Sequence, residues 1–456
     1  MSWLPQPHEA AGRKVRLGLL TPLAAITGLL GIAAAVALFS LIAFFTNLAY
    51  YHRLSLSYAE PHASPWASSP LTVGLVVCGA LVSGLAIRYG DRSLRGHGIP
   101  EVMEAVLQRR SRIPWRVALL KPLTAALSIG TGSPFGAEGP IIQTAAAVGS
   151  LVGQAVPVSD RERKILLGCG AAAGMTAIFA TPLAAVLLAL ELLVFEFSAE
   201  AIVPVACAAA VALALRPGLL PRSPLFPSTV AVPPGAAPLL WIAGFGLVAG
   251  LEGAALTALL YRVEDGFAHL KRHAEVVRPV LGAAVVGLIA LRAPQVLGMG
   301  YDLIRSVLAG RMAAGEAGTV LLAKGLGWLV ALGSGTVGGV LAPLFLISGC
   351  SGALLGGWLQ PLTHLPPALV ALIFMAAVFA AGSGAVLTAA VFAAEVSGNM
   401  GALPALLLAS ALAMVVAAAL SPYNLMSGKL VRRGLRPNFA YFAPPHREPA
   451  ARAPGA

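Results

Sequence analysis

Charged residues are scarce in this chain. Only 11% of its 456 residues are Asp, Glu, Lys or Arg, whereas 58% are hydrophobic and the mean hydropathy is +0.83. A soluble globular domain carries about 25% charged residues, so that class is excluded. The apolar residues form runs that reach the roughly 20 residues of a bilayer span, whereas barrel strands would alternate in short segments. We therefore predict an all-α polytopic membrane protein.

Cysteine is also scarce, and the four cysteines lie far apart in apolar segments without a CxxC pair. This pattern predicts small buried side chains rather than a disulfide framework or a zinc site. The polar amino-terminal stretch lacks the apolar core and the small-residue cleavage site of a signal peptide. We expect no metal site. The cysteines are Cys78, Cys169, Cys207 and Cys350.

Motifs for enzyme chemistry are absent as well. No serine–histidine pair, aspartate pair, HExxH zinc motif or GxxxxGK[ST] phosphate loop stands out, which disfavours an intramembrane protease and an ATP-driven pump. We expect that the protein is not an enzyme, with an intramembrane enzyme kept as the remote alternative.

The charges that are present are mostly positive, with a formal net charge of +12. Basic residues cluster in short loops and near both ends, which is the positive-inside pattern of membrane proteins rather than a nucleic-acid surface. Both termini are therefore predicted in the cytoplasm, with an even number of crossings. The clusters are Arg13, Lys14 and Arg16; Arg109, Arg110 and Arg112; Arg161, Arg163 and Lys164; and Lys429, Arg432, Arg433 and Arg436.

The chain repeats itself. GTGSPFGAEGP (130–140) aligns without a gap with GSGTVGGVLAP (333–343), and AAVLLALE, ending at Glu191, resembles TAAVFAAE, ending at Glu395. The alignment leaves open whether the copies are parallel or inverted, although inverted repeats are common in transporters. The predicted divisions are a cytoplasmic segment (1–16), a first membrane repeat (17–215), a Pro-rich linker (216–238), a second membrane repeat (239–435) and a cytoplasmic tail (436–456).

Three glycine-rich turns each precede a proline that favours the first turn of a helix, so helices are predicted to begin near Pro100, Pro140 and Pro343. A helix amino terminus presents unpaired N–H groups and about half a positive charge, which together bind anions. Inside a membrane, a full Lys or Arg charge would hold an anion too tightly for flux. The turns predict an anion site built from backbone amides.

Glu138 is the only charged residue between Lys121 and Asp160. An intramembrane carboxylate costs about 2.5–3.5 kcal/mol on insertion scales, which marks it as a functional candidate. We predict that Glu138 occupies the anion site when ionised and leaves it when protonated, as a gate and a proton carrier. The alternative is a carboxylate that caps a helix in a wet loop.

Three of these segments, GHGIP (96–100), GAEGP (136–140) and GGVLAP (338–343), resemble the anion-site motifs of the CLC family of chloride channels and chloride/proton antiporters. GCGAAAGMTAIFATPLAAVLLALE (168–191) and AAVFAAEVSGN, which contains Glu395, resemble later segments of that family. The likeness covers about 17–435 and is to the prokaryotic type without a carboxy-terminal regulatory domain. It implies a CLC-like inverted repeat of broken and tilted helices.

The same resemblance implies a homodimer in the lipid bilayer with one anion pathway in each subunit, and no cofactor apart from bound chloride. It also implies a bacterial inner (plasma) membrane location, and Glu138 matches the gating glutamate. The implied anion-binding residues are His97, Gly98, Ile99, Ala137, Gly139, Val340, Leu341 and Ala342.

Two departures from the family pattern affect the anion ligands. His97 stands where many members have a serine that binds the central anion, and it could donate one N–H or turn away to bond a carbonyl. Met426 stands where the family has a ligating tyrosine, and Tyr423, three residues earlier, could substitute if the helix shifts.

A third departure concerns protons. Leu192 stands where antiporters of the family usually carry an inner proton glutamate, so Glu191, Glu196 or water would have to serve; Glu191 could equally be a helix-end carboxylate at the cytoplasmic interface. We therefore expect chloride transport gated by Glu138, either as a passive channel or as a chloride/proton exchanger. The alternative is an antiporter of protons against fluoride or another small anion.

Overall fold

The computed structural model describes residues 15–271 and 273–435, so the predicted terminal segments lie outside the described residues up to position 14 and from position 436. The described chain is helical, without a strand. Its helices are α1 (Leu17–Tyr51), α2 (Pro70–Tyr89), α3 (Ile99–Gln108), α4 (Trp115–Gly130), α5 (Glu138–Ala155), α6 (Asp160–Phe179), α7 (Pro182–Leu188), α8 (Ala199–Leu215), α9 (Ala236–Ala268), α10 (Ala274–Ala290), α11 (Tyr301–Leu308), α12 (Ala314–Gly333), α13 (Leu341–Thr363), α14 (Pro367–Ser383), α15 (Val386–Ser397), α16 (Leu403–Leu420) and α17 (Gly428–Arg432).

Among the described helices, α1, α2, α9, α12, α13 and α16 are long and apolar enough to cross a membrane. The predicted all-α polytopic membrane fold is confirmed. The apolar segment 168–191 is not one continuous helix, because α6 ends at Phe179 and α7 begins at Pro182. Proline lacks a backbone N–H and cannot continue a preceding helix without a break.

The two halves of the chain pack in the same order. In the first half, α5 packs on α6, and α1 packs on α6 and α8; in the second half, α13 packs on α14, and α9 packs on α14 and α16. The halves meet where α2 packs on α10 and where α7 packs on α15. The linker stretch between α8 and α9 contains no helix.

The halves also meet at one pair of glycines, Gly136 and Gly339, which occupy equivalent positions in the aligned repeats. The Gly136 amide donates to the Gly339 carbonyl at 3.1 Å, and the Gly339 amide donates to the Gly136 carbonyl at 2.9 Å. This is the reciprocal pattern of an antiparallel pair. Equivalent residues that exchange both hydrogen bonds are related by a local two-fold axis, which is the symmetry that the inverted repeat of a CLC-like fold requires.

Two carboxylates join α7 to α15, at the second place where the two halves of the chain meet. Glu191 lies in the π-helical turn that extends α7 and accepts a hydrogen bond of 3.0 Å from the Thr388 amide, in the first turn of α15. Glu395, near the end of α15, accepts from the amides of Leu183 (3.1 Å) and Ala184 (2.8 Å), in the first turn of α7. Each helix therefore carries the acidic cap of the other, at the amino terminus where negative charge stabilises a helix.

Replacing Glu395 with alanine tests this connection. The change leaves the Leu183 and Ala184 amides without their acceptor, and loss of a helix cap costs about 0.5–2 kcal/mol. We expect a lower thermal unfolding temperature for E395A than for the wild type in detergent, measured by tryptophan fluorescence. Glu316→Ala is the matched control, because Glu316 is an exposed first-turn residue of α12. Equal unfolding temperatures for the two variants would contradict the reciprocal caps.

Candidate functional site

Glu138 is the first residue of α5, and its side chain is buried with the residue 1% exposed. Its Oε1 accepts a hydrogen bond of 3.1 Å from the Ala342 amide in the first turn of α13. The Tyr301 hydroxyl donates to the same oxygen at the long distance of 3.5 Å. Its Oε2 is buried and has no hydrogen-bond partner among the described residues. The carboxylate thus lies where the starts of α5, α11 and α13 converge.

The predicted helix starts are close to the observed ones. α5 begins at Glu138 rather than at Pro140, α13 at Leu341 rather than at Pro343, and α3 at Ile99. Each helix therefore starts one or two residues before its proline, which places the proline within the first turn. First-turn amides have no acceptor inside their own helix, so they are free to bind another group.

Glycine is required where the chain segments cross. A Cβ on Gly139 would lie 1.7 Å from the His97 carbonyl oxygen, far inside van der Waals contact. Gly98 has a φ of +99°, and a Cβ there would lie 2.6 Å from the Gly139 carbonyl oxygen. Only glycine combines the positive φ with so close an approach of backbones. The start of α3 is thereby pressed against the start of α5.

The residues before α3 are arranged less simply than the resemblance implies. The Gly98 amide donates to Glu101 Oε2 at 2.9 Å, in a capping interaction within α3, so this predicted anion ligand already has an acceptor. Glu101 also lies 3.6 Å from the Lys429 ammonium. His97 is buried, and its Nδ1 has no hydrogen-bond partner within the described chain. A buried unpartnered ring nitrogen is available for a ligand.

Two buried lysines support the turns before α3 and α11, and sequence reasoning missed both. Lys121 Nζ donates to the carbonyls of Leu94 (2.9 Å) and Gly96 (3.0 Å). Lys324 Nζ donates to the carbonyls of Val296 (3.1 Å) and Gly298 (2.6 Å). The lysines lie 203 positions apart, the spacing that also separates Gly130 from Gly333. Extending the repeat alignment by nine residues would have found them.

The predicted amide ligands of the second repeat lie at the site. Val340 is the residue before α13, Leu341 is its first residue, and Ala342 already donates to the Glu138 carboxylate. Ala137 and Gly139 flank Glu138 at the start of α5. All five are buried. The structure therefore brings together the starts of α5 and α13, as the two aligned motifs predict.

The two candidates for the missing tyrosine have different surroundings. Met426 is fully buried, and its amide donates to the Gly382 carbonyl at 3.3 Å. Tyr423 packs edge-on against Tyr261, with ring centroids 5.3 Å apart, and lines a cavity of about 260 Å³ with residues of α9 and α16. Neither side chain has a hydrogen bond to Glu138 among the described contacts, so their role in anion binding stays a prediction.

The candidate inner proton residues lie at the end of α7. Leu192 is fully buried beside Glu191, which binds the start of α15. Glu196, beyond the helix, pairs with Arg161 at 2.5 Å and with Lys164 at 3.4 Å. Burial raises the pKa of Glu196, but hydrogen bonds from Arg161 and Ser198 and the charge of Lys164 outweigh burial and hold it at about 2. Glu196 therefore carries no proton at neutral pH.

A cavity of about 440 Å³ opens beside the start of α11. Its lining includes Tyr58, Glu60, Leu225, Tyr301 and Arg305. Because the Tyr301 hydroxyl also reaches Glu138, a single residue connects this cavity with the buried carboxylate. Sequence reasoning missed Tyr301, although GMGY (298–301) has the glycine spacing of GHGI (96–99).

Comparisons with known proteins agree with this geometry. The family model described as "Voltage gated chloride channel" matches residues 78–418. The chain is 32% identical over 370 residues to the voltage-gated ClC-type chloride channel ClcB of Escherichia coli, covering 79% of this chain and 86% of that protein.

Two solved structures share the fold. A slow cyanobacterial Cl⁻/H⁺ antiporter superposes with a TM-score of 0.77 at 23% identity, over 93% of this chain and 99% of that one. A CLC-type fluoride/proton antiporter superposes with a TM-score of 0.75 at 23% identity, over 91% and 98% of the two chains.

Gly139→Ala tests the crossing of α3 and α5. The added Cβ meets the His97 carbonyl, and overpacking of this kind typically costs about 1–3 kcal/mol. We expect chloride binding, measured by isothermal titration on the purified protein, to weaken at least about tenfold, because 1.4 kcal/mol corresponds to a factor of ten. Gly357→Ala, in α13, is the control, since nothing lies within 4 Å of the position that its Cβ would take. Unchanged binding by G139A would rule out the crossing as part of the site.

Proposed function

The chain belongs to the voltage-gated chloride channel family, and on that premise we propose that it carries chloride across a membrane through a pore gated by Glu138. The observation that carries the proposal is the hydrogen bond from the Ala342 amide to the Glu138 carboxylate. A helix amino terminus that holds a carboxylate offers the same donors and the same partial charge to chloride. Glu138 thus occupies the position of the transported ion.

Competition between the carboxylate and chloride supplies the gate. An ionised carboxylate accepts a charge-assisted hydrogen bond from the α13 amide, whereas a protonated one accepts a weaker neutral bond. Protonation therefore favours exchange of the side chain for chloride. Because Oε2 is buried and unpartnered in the described chain, the ionised side chain is incompletely satisfied and is not held irreversibly.

The distribution of positive charge around Glu138 allows an anion to bind and to leave again. No Lys or Arg contacts the Glu138 carboxylate among the described hydrogen bonds, and the nearby ammonium groups of Lys121 and Lys324 are committed to backbone carbonyls. These cations raise the local potential for an anion without bonding it directly. An ion held by amide dipoles and distant charges can leave again, as conduction requires.

The surroundings of Leu192 favour a passive conductor over a coupled exchanger. Leu192 cannot carry a proton, Glu191 is bound to the start of α15, and Glu196 is held ionised by two cations. A proton route from the inner face to Glu138 would then depend on water. Exchange stays the second mode, because Glu138 itself can still take up a proton from the other face.

We also propose the orientation and assembly that the basic clusters and the family suggest. Arg16, which precedes α1, pairs with Glu162 near the start of α6 at 2.9 Å. Arg163 and Lys164 follow Glu162 directly in that helix. This basic face is assigned to the cytoplasm and the loop between α1 and α2 to the opposite side of a bacterial plasma membrane. Family membership supports a homodimer with a pore in each subunit.

Flux through liposomes tests the gate. Glu138→Gln and Glu138→Ala remove the charge that competes with chloride, so we expect both to conduct chloride passively, with no proton movement coupled to it. Chloride efflux and external pH would be recorded together, with and without a protonophore. In the wild type, uphill proton entry during chloride efflux identifies an exchanger, and its absence at clamped voltage identifies a passive conductor.

Glu316→Gln, an exposed carboxylate on α12, is the matched control and should behave as the wild type. Proton transport that survives in E138Q would show that the gate is assigned to the wrong residue. A wild-type protein that moves neither chloride nor fluoride would overturn the proposed function.

His97 variants test whether the ring donates to the anion. Serine restores a donor and alanine does not, and a hydrogen bond to a charged partner contributes about 1.5–3 kcal/mol. We therefore expect H97A to bind chloride at least about tenfold more weakly than the wild type, with H97S in between or equal to the wild type. Titration with chloride and fluoride in parallel shows whether selectivity shifts. Wild-type binding of both anions by H97A would show that His97 turns away from the site.

A further inference from the structure

The loop between α1 and α2 brings Glu60 and His62 next to Asp302 at the start of α11, and the three residues are potential metal ligands. Glu60, His62 and Asp302 each offer one ligand atom, and these atoms all lie within 4.8 Å of one another. His62 Nε2 lies 3.0 Å from Asp302 Oδ2. Bonds from zinc to nitrogen and oxygen are about 2.0–2.2 Å, which puts ligand pairs on one ion about 3–4 Å apart. Small side-chain shifts would therefore close the cluster around a single ion.

His62 supplies an independent sign of a ligand. Its side chain is only 9% exposed, and its Nδ1 is buried without a hydrogen-bond partner in the part of the chain described. Buried polar atoms are normally paired, so the unpaired Nδ1, in a ring whose Nε2 lies against Asp302, indicates a group that the protein does not itself provide. Neutral imidazole together with carboxylates is a donor set for a divalent transition-metal ion.

The carboxylates are positioned before any ion binds. Glu60 accepts hydrogen bonds from the Tyr58 hydroxyl (2.8 Å), the Gly300 amide (3.2 Å) and the Tyr301 amide (2.9 Å). Asp302 Oδ1 accepts from the Leu303 amide at 2.9 Å, which leaves Oδ2 directed at His62. Each carboxylate oxygen has two lone pairs, and although Glu60 Oε2 uses both, Glu60 Oε1 and Asp302 Oδ2 each keep one for a metal.

Charge and access also suit a cation. Lys324 interacts electrostatically with Glu60, Asp302 and Glu138, so its single charge does not neutralise the two carboxylates of the cluster. The Asp302 side chain is 45% exposed, and both Asp302 and Glu60 line the cavity of about 440 Å³. An ion can therefore arrive through that cavity.

We propose that Glu60, His62 and Asp302 form a binding site for a divalent transition-metal ion, zinc above all, on the face opposite the amino terminus, and that its occupancy slows anion transport. The second half of the proposal rests on the proposed function. Asp302 and Tyr301 are consecutive at the start of α11, and the Tyr301 hydroxyl reaches Glu138. A bound ion would strengthen the link that Glu60 and His62 already make between the α1–α2 loop and this turn, and would further restrain Tyr301 beside Glu138.

Metal binding is measured first, on the purified full-length chain in detergent. Co²⁺ is titrated with its visible absorption as the readout, and Zn²⁺ is then used to displace it. We expect about one ion per chain in the wild type and at least about tenfold weaker binding in both H62Q and D302N. H269Q is the matched control, since His269 is an exposed histidine at the end of α9, and it should bind as the wild type does.

Transport is measured next, with Zn²⁺ added outside liposomes and each rate divided by the metal-free rate of the same variant. We expect zinc to slow chloride efflux by the wild type and by H269Q, and at least about tenfold more zinc to be needed for H62Q. Absence of saturable Co²⁺ binding, or equal binding by H62Q, would overturn the site. Equal inhibition of H62Q and the wild type would overturn the effect on transport.

The binding experiment needs no transport, so the two proposals fail separately. Metal binding by a protein that moves no chloride or fluoride without metal would count against the proposed function and support the site.

Discussion

The reciprocal hydrogen bonds between Gly136 and Gly339 are the contact on which the rest of the site depends. Two equivalent backbone segments, one from each inverted repeat, cross at this pair. Two residues further along each segment, at Glu138 and Leu341, a helix begins and runs away from the crossing. The amino termini of α5 and α13 are thereby brought together inside the protein, where helix termini are rarely found without partners.

An anion pathway through a membrane needs positive potential without a tight ionic bond. Here the potential comes from helix amino termini, backed by two buried lysines that are occupied with backbone carbonyls. The same lysines hold the turns before α3 and α11 in place, so these two side chains both stabilise the fold and contribute positive potential. The repeat-related turns differ in what they bind: the α3 start has its own Glu101, and the α11 start is capped by Glu60 from a distant loop.

Local signals made much of this site predictable. The glycine–proline turns and the isolated carboxylate Glu138 are recognised from residues that are neighbours in the sequence. The starts of α3, α5 and α13 could therefore be placed to within two residues. The membrane fold followed from composition. Long-range contacts could not be read in the same way: Tyr301 lies 163 positions from Glu138, and His62 lies 240 positions from Asp302. The alignment of the repeats likewise did not give their relative orientation: the family resemblance implied inverted repeats, and the antiparallel glycine pair supplies the local two-fold axis that relates them.

The capping of Gly98 by Glu101 shows another limit of motif reasoning. A motif identifies amides that begin a helix, but a first-turn acidic residue can satisfy one of them from within the helix. Likewise, Met426 and Tyr423 depend on how the last segment packs, and their positions relative to the anion are not encoded in a short pattern.

The central claim is that the Glu138 carboxylate and a transported anion compete for the amides at the starts of α5 and α13. Anomalous diffraction from crystals of the wild type and of E138Q, both grown in bromide, tests it most directly. We predict a bromide peak within hydrogen-bond distance of the Ala342 amide in E138Q that is absent or much weaker in the wild type. No peak at that amide in E138Q would contradict the account.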